Sequence, residues 1–346
     1  MSSFGRQRYK INRNFMALEF TFHFFFVSLH PQFNNMRKVI GIGETILDII
    51  FRGNQPIQAV PGGSAYNALI SLGRSGIPSM FIGETGDDRV GVTIREYLEQ
   101  NGVDASALNV FPDTKSPVSL AFLNEVNDAE YIFYKDHPND RLDFDYPDVQ
   151  PDDIVLFSSF YAVNPVIRPK VKGFLSYAKS QGAILYYDVN FRASHQNDVL
   201  RITPNLLENL EMADIVRGSN EDFGVLFHKS DPDLIYRSQI SFYTRNFIYT
   251  QGSEPVVLKG VKFSKSYPVE KLETVSTIGA GDNFNAGFIY GLIRYDVTRD
   301  MLLGGLRPFE WDQVMACAQQ FSANVCRSLN NSVDTAFGEE MKNNLK

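Results

Sequence analysis

Only two cysteines, Cys317 and Cys326, occur among 346 residues. They stand nine apart on a segment of helical pattern, so they face opposite sides and cannot pair with each other there. No metal-ligand spacing surrounds them, and a reducing, cytoplasmic compartment is the simpler inference. The chain also lacks any run of Lys and Arg, and its formal charge of −7 argues against a nucleic-acid-binding surface. A membrane span is absent as well: the apolar patch Phe20 to Leu29 covers roughly ten residues where about twenty are needed. Arg6, Arg8, Lys10 and Arg13 before that patch imitate a signal peptide. Glu19 and His23 break up the apolar region, however, and no small-x-small cleavage site follows. From Met36 the chain starts cleanly, with Arg37-Lys-Val-Ile-Gly41 leading into a strand. Met36 is therefore the expected natural start, with 1–35 an upstream extension.

What is present fits an ordinary globular enzyme, 44% hydrophobic and 21% charged, of one large α/β domain or two smaller ones. Short apolar runs alternate with helical patterns. Val39 to Ile42, Ser79 to Ile82, Ile154 to Phe157, Ile184 to Asp188, Ile215 to Val216, Phe247 to Thr250 and Val256 to Lys259 read as strands. Helices are expected from the Pro61-Gly-Gly turn to a C-cap at Gly73, then over 90–100, 166–180, 206–212, 221–227, 283–294 and 311–328. That rhythm implies a mostly parallel sheet covered on both sides. Ile46 to Phe51, and a hairpin of Val118 to Phe122 with Tyr131 to Tyr134 joined through Asn127-Asp128, do not fit it. They are expected to form a small separate β-sheet that could cover a substrate.

The stretch Thr277-Ile-Gly-Ala-Gly-Asp282 carries the strongest chemistry. Gly279 and Gly281 around Ala280 leave backbone N–H groups uncovered, and Asp282 falls in the first turn of the helix that follows. Helix N-termini attract anions through free N–H groups and the dipole. An acid beside such a site is suited to take the proton from a hydroxyl about to attack a phosphate. The plain alternative is a Gly-rich turn with Asp282 as an ordinary N-cap.

Three further places are candidates. Gly41-Ile-Gly-Glu-Thr-Ile46 lacks the third glycine of a dinucleotide fingerprint and is rejected as one. Its neighbour Asp48 is an acid in an apolar run, costly to bury without donors such as sugar hydroxyls; a solvent-facing acid on an edge strand is the alternative. Gly62 and Gly63 allow close approach to a ligand, and Asn67 one turn later both donates and accepts, as a polyol requires. Taken alone, that segment is also an ordinary helix start. Asp188, Asn190 and Arg192 follow a buried strand at its carboxyl end, where open α/β sheets bind ligands, and suit Mg²⁺-phosphate or substrate contacts.

Taken in order, Gly43…Asp48, Pro61-Gly-Gly…Asn67, Gly83-x-x-Gly-Asp-Asp88-x-x-Gly91, Asp188-x-Asn-x-Arg192, Thr250-x-Gly252 and Gly279-Ala-Gly-Asp282 resemble the PfkB (ribokinase-like) carbohydrate kinases. The resemblance runs from Met36 to about Ser332, and Gly279-Ala-Gly-Asp-Asn-Phe-Asn-Ala-Gly287 is its most specific part. It implies a three-layer α/β/α fold with a β-sheet lid, formed by about 48–60 and 117–135, within a kinase domain over 36–335; 336–346 would be a tail. It implies Asp282 as the base, with the Gly279, Ala280 and Gly281 amides as an anion hole. Asp48, Gly62, Gly63, Asn67, Asp188, Asn190 and Arg192 would hold the sugar. Ser219, Thr250, Gly252 and Gly281 would line the ATP site, with the Ala316–Cys326 helix near the adenine.

Three departures bear on function. Ser276 stands where the family usually carries an acid that helps hold a monovalent cation, which leaves K⁺ activation open. The Asn-x-x-Glu segment near Mg²⁺ appears as Ser219-Asn-Glu-Asp222, with Asp222 the better match and Glu221 its neighbour. Val189 replaces the proline of the Asp-Pro-Asn-x-Arg found in fructokinase-like and 2-keto-3-deoxygluconate kinase-like members. A ketose or keto-sugar acid is favoured over ribose or a nucleoside. The expected activity is ATP- and Mg²⁺-dependent phosphorylation of a sugar, fructokinase-like, with no nucleic acid or membrane partner and a homodimer through an apolar lid face. A member that binds sugar or protein without catalysing is the reading from another class; the intact Gly279-Ala-Gly-Asp282 argues against it.

Overall fold

Val39–Ile42 (β1) leaves no residue exposed on either face, which marks a central strand of a covered parallel sheet. The computed structural model, which describes residues 36–124, 129–134 and 141–345, bears this out. β1 pairs in parallel with Ser79–Gly86 (β4) on one side and Ile154–Ser158 (β9) on the other. Beyond β9 lie Ile184–Asp188 (β10), Ile215–Ser219 (β11) and Asn246–Gln251 (β12), all parallel. Glu254–Gly260 (β13) and Phe263–Tyr267 (β14) finish that end antiparallel. At the other end β4 pairs with the short strands Val103–Asp104 (β5) and Leu108–Phe111 (β6).

Helices cover both faces. On one side pack Ser64–Arg74 (α1) and Arg89–Gln100 (α2), with Tyr66, Leu69, Ile94 and Leu98 in the core. On the other are Ser159–Val163 (α3), Arg168–Ser180 (α4), Val199–Met212 (α5), Asn220–Phe227 (α6) and Pro232–Ile235 (α7). Ala280–Arg294 (α8), Arg299–Gly304 (α9), Pro308–Val325 (α10) and Thr335–Asn343 (α11) return to the first face, where Phe288, Trp311, Phe321 and Met341 are buried. The final residues, set apart from the domain by the sequence reading, thus carry a helix whose Met341 carbonyl accepts from Tyr290 Oη at 2.7 Å.

The small sheet runs Gln55–Gly62 (β3), Ile46–Arg52 (β2), Val118–Leu123 (β7), Ala129–Tyr134 (β8). The β7–β8 pair is antiparallel as expected; its connection, including Asn127 and Asp128, lies outside the described residues, as do 1–35. β2 and β7 are parallel neighbours, so the sheet is more than a pair of hairpins. Ile50, Val60, Ala121 and Leu123 make its own small core, joined by Ile278 from just before the Gly-Ala-Gly turn. The first helix does not end at Gly73. It continues to Arg74, and Gly76 supplies the left-handed residue (φ +78) that turns the chain away.

Candidate active site

The carboxyl ends of the parallel strands, the underside of the small sheet and the start of α8 enclose a cleft of about 240 Å³, room for one small polyol. Of the predicted residues, Asp48, Gly63, Asn67, Asn190, Arg192, Gly279 and Asp282 line it. Gly279 is the N-cap of α8 at φ +74, a conformation that favours glycine, and a Cβ there would meet the Asn331 carbonyl oxygen at 2.7 Å. The turn places Asp282 in the first helical turn, third residue in, and not at the cap. Asn67 Nδ2 donates to Asp282 Oδ2 at 2.8 Å, which fixes the carboxylate and leaves its other oxygen for a ligand. Burial raises the Asp282 pKa to about 6; the Asn67 hydrogen bond opposes this, Asp188 adds to it, and Arg192 and Arg217 oppose it.

The open donors at this helix start differ from the predicted set. Ala280 N–H donates to the Thr277 carbonyl at 3.1 Å, so it is already spent. Among the described residues no side chain caps the helix, and the N–H groups of Gly279, Gly281 and Asp282 have no partner. The N–H groups left open at this turn are therefore those three, and that of Ala280 is not among them.

Asp48 is buried, with Oδ1 accepting from Ser119 Oγ and Oδ2 from Asn331 Nδ2 at 2.9 Å. Burial raises its pKa, and both hydrogen bonds moderate the rise. Gly62 sits against that carboxylate, where a Cβ would lie 2.6 Å from Asp48 Oδ2. Asn67 Oδ1 is buried with no partner among the described residues, an acceptor that a ligand hydroxyl could satisfy. Arg192 has solvent access through the cleft mouth and makes no hydrogen bond among the described residues; its guanidinium lies 5.9 Å from the Tyr131 ring centre.

Asp188 is a correction. It is fully buried beneath the cleft, where Arg217 Nη1 (2.9 Å), Asn285 Nδ2 (2.8 Å) and Ser64 Oγ (3.4 Å) all donate to it, so it has no oxygen to offer a substrate. Asp222 is likewise committed: Phe191 N–H (2.7 Å) and Ser219 N–H (2.6 Å) take one oxygen each, and Ser219 Oγ caps the same helix. As a metal ligand it fits poorly. Glu221, exposed at the first turn of α6, has a free carboxylate. Thr250 Oγ1 accepts from Arg217 Nη2 at 2.7 Å, and Gly252 turns with φ +62 beyond β12. Among the described residues no group of three or more His, Cys, Asp or Glu gathers to hold a metal. Ser276 is buried, and its Oγ accepts from Ile278 N–H at 3.1 Å, an uncharged position that does not fit an acid's role beside a monovalent cation.

Several cleft residues escaped the sequence reading: Glu44, Tyr131, Ser159, Phe160 and His195. His195 stacks on Phe160 at 4.1 Å between ring centres. Phe133 of β8 also lines the cleft, whereas Phe122 stacks on Phe51. Arg217 was missed too, although an arginine inside the apolar run Ile215–Gly218 was a visible signal of a buried ion pair.

A family model described as pfkB family carbohydrate kinase matches residues 36–307. A fructokinase of Rhizobium leguminosarum bv. trifolii is 27% identical over 263 residues, 73% of this chain and 79% of its own. A 5-dehydro-2-deoxygluconokinase of Geobacillus thermodenitrificans is 28% identical over 248 residues, 67% of this chain and 72% of its own. Among solved structures, Vibrio cholerae O395 fructokinase with fructose, ADP and calcium superposes at TM-score 0.77, 19% identity, covering 88% of this chain and 99% of that one.

Proposed function

The chain belongs to the pfkB family of carbohydrate kinases and is an ATP-dependent phosphotransferase to an alcohol group, and from that premise we propose that it phosphorylates a ketose, in the manner of a fructokinase. The observation that carries the reading is Asp282, held by Asn67 at the open N-terminus of α8 and facing the cleft. The sugar hydroxyl gives its proton to the free oxygen of Asp282 as its own oxygen attacks the terminal phosphorus of ATP. The bond from that phosphorus to ADP breaks, and the charge on the transferred group meets the N–H groups of Gly279, Gly281 and Asp282. Asp48, Asn67 and Asn190 orient the sugar, with the orphaned Asn67 Oδ1 taking one hydroxyl. Ser219, Thr250 and Gly252 border the nucleotide. Glu221, exposed at the first turn of α6, would be the acid with an oxygen to spare for a Mg²⁺ ion, which would supply charge neutralisation of the ATP phosphates.

The small sheet acts as a lid, since Tyr131 and Phe133 of β8 reach the cleft from above and exclude water. Its exposed Ile57, Ile132 and Tyr134 are the face for a homodimer. A second reading, a 2-keto-3-deoxygluconate kinase, is favoured by one observation: Arg192 presents an unpaired guanidinium to the cleft, as a sugar carboxylate would require. ADP release with Mg-ATP across fructose, 2-keto-3-deoxygluconate, ribose, tagatose phosphate and adenosine tests both. Turnover on fructose supports the first reading and turnover on the keto acid the second. ATP binding with no turnover on any of them overturns both and favours a non-catalytic member.

A further inference from the structure

The loop between α10 and α11 was assigned no role by any motif, yet it touches the lid, Asp48, the Gly279 turn and α1. Asn330 Oδ1 accepts from Gln58 Nε2 on lid strand β3 at 3.0 Å. Asn331, almost fully buried, donates through Nδ2 to Asp48 Oδ2 at 2.9 Å. Its backbone carbonyl accepts from Asn283 Nδ2 at 2.8 Å, in the first turn of α8. The same backbone lies against Gly279, within 3.2 Å of where a Cβ would stand. Ser332 Oγ donates to the Asn67 carbonyl (3.3 Å), and Val333 N–H donates to Ser71 Oγ (3.1 Å), both on α1.

We infer that Asn331 is a positioning residue for the phosphoryl transfer, holding the sugar-binding carboxylate of Asp48 in register with the Gly279 turn that receives the phosphoryl group. One side of the residue fixes where the sugar sits, and the other fixes the turn toward which its hydroxyl must point. In-line attack depends on that relation, and a displacement of about 1 Å can cost a hundredfold in rate. Ser119 on β7 holds the other Asp48 oxygen, so Asp48 is clamped between the lid and the body. Without Asn331 the clamp keeps its lid half alone, and Asp48 follows the lid. The inference rests on the reading of Asp48 as a sugar ligand.

The test compares the unmodified chain, Asn331→Ala, Asn331→Asp and Asp48→Asn, measuring KM for ATP and for the panel sugar that the unmodified chain turns over. Asn331→Ala is expected to raise the sugar KM at least tenfold, with the ATP KM within twofold. Asn331→Asp keeps the backbone wedge and the side-chain shape but sets a second carboxylate against Asp48. Two such groups share one proton, so its sugar KM, relative to the unmodified chain at equal pH, should fall back as pH is lowered and the shared proton is taken up. Arg192 and Tyr131 are the other titratable groups that act on or feel Asp48, and both are unchanged in these variants. A role in stability alone would move melting temperature and leave this ratio flat with pH. If Asn331→Ala does not fold, the Asn331→Asp pH ratio decides by itself. A flat ratio, or sugar and ATP KM rising together, overturns the inference. If Asp48→Asn leaves the sugar KM unaltered, the underlying sugar-site reading has failed instead.

Discussion

Replacing Asp282 by Asn should make the protein more stable and nearly inactive, and the first effect should depend on pH. Burial lifts the Asp282 pKa from 3.8 to about 6. A folded-state pKa raised above the unfolded value means the favourable contribution is complete below 3.8 and is lost as pH rises through 6. The raised pKa of Asp282 therefore costs about 1 kcal/mol at pH 4.5 and about 3 kcal/mol at pH 7.5, from the linkage relation at about 1.36 kcal/mol per unit. Asparagine cannot ionise, and its Oδ1 can still accept from Asn67 Nδ2. Denaturant unfolding of both proteins should show the variant gaining on the unmodified chain by about 2 kcal/mol between those two pH values. Turnover should fall by about 10²–10⁴ with loss of the base. In the unmodified chain, kcat/KM should fall as pH drops through about 6, because the protonated carboxyl cannot accept the hydroxyl proton. A stability gap independent of pH would refute the raised pKa, and a variant that keeps its turnover would refute the base assignment.

Gly279→Ala should cost about 1–2 kcal/mol for the left-handed backbone and displace the turn from the Asn331 carbonyl, read as a kcat loss exceeding the change in ATP KM. Arg217→Met leaves Asp188 charged and buried, so unfolding free energy should drop by about 3–5 kcal/mol. Adding Asp188→Asn should recover part of it, and no recovery would show that the pair is not coupled. For monovalent cations, activity of the unmodified chain should be equal in KCl and in a tetramethylammonium salt. Ser276→Asp, which restores the missing charge, should acquire K⁺ activation; activation already present in the unmodified chain would sink this prediction.

Burial on both faces is what made β1, β9, β10 and β12 legible, since each reads as a short apolar run. The edge strands β3 and β14 gave no such signal. β14 exposes the three residues between Phe263 and Tyr267, and β3 carries Pro56 and Pro61. An edge strand needs neither an apolar face nor every N–H, so its composition is that of a loop. A similar distinction runs through the site. Asp282 and Gly279 were legible because one local turn places both. Asp188 was misplaced because its closest partners, Arg217 and Asn285, stand 29 and 97 residues away, and no local pattern shows that it faces inward toward them. Asn331 is 283 residues from Asp48, beyond any local pattern.

The sugar's identity is harder still, and the reason is energetic. Asp48, Asn67 and Asn190 can hold the hydroxyls of a neutral ketose or of a sugar acid with similar neutral or singly charged hydrogen bonds. What separates the two is whether Arg192 meets a hydroxyl or a carboxylate. A carboxylate adds a charge-assisted bond, roughly twice as strong as a neutral one. A neutral sugar leaves the guanidinium to the solvent at the cleft mouth, at little cost because it is not sealed from water. The motif residues are thus shared by both chemistries, and the discrimination falls on one open charge whose surroundings come from Tyr131 on the lid. Removing that charge with Arg192→Gln should spare turnover of a neutral sugar and lower kcat/KM for a sugar acid by tenfold or more. Equal losses on both would move the specificity away from Arg192.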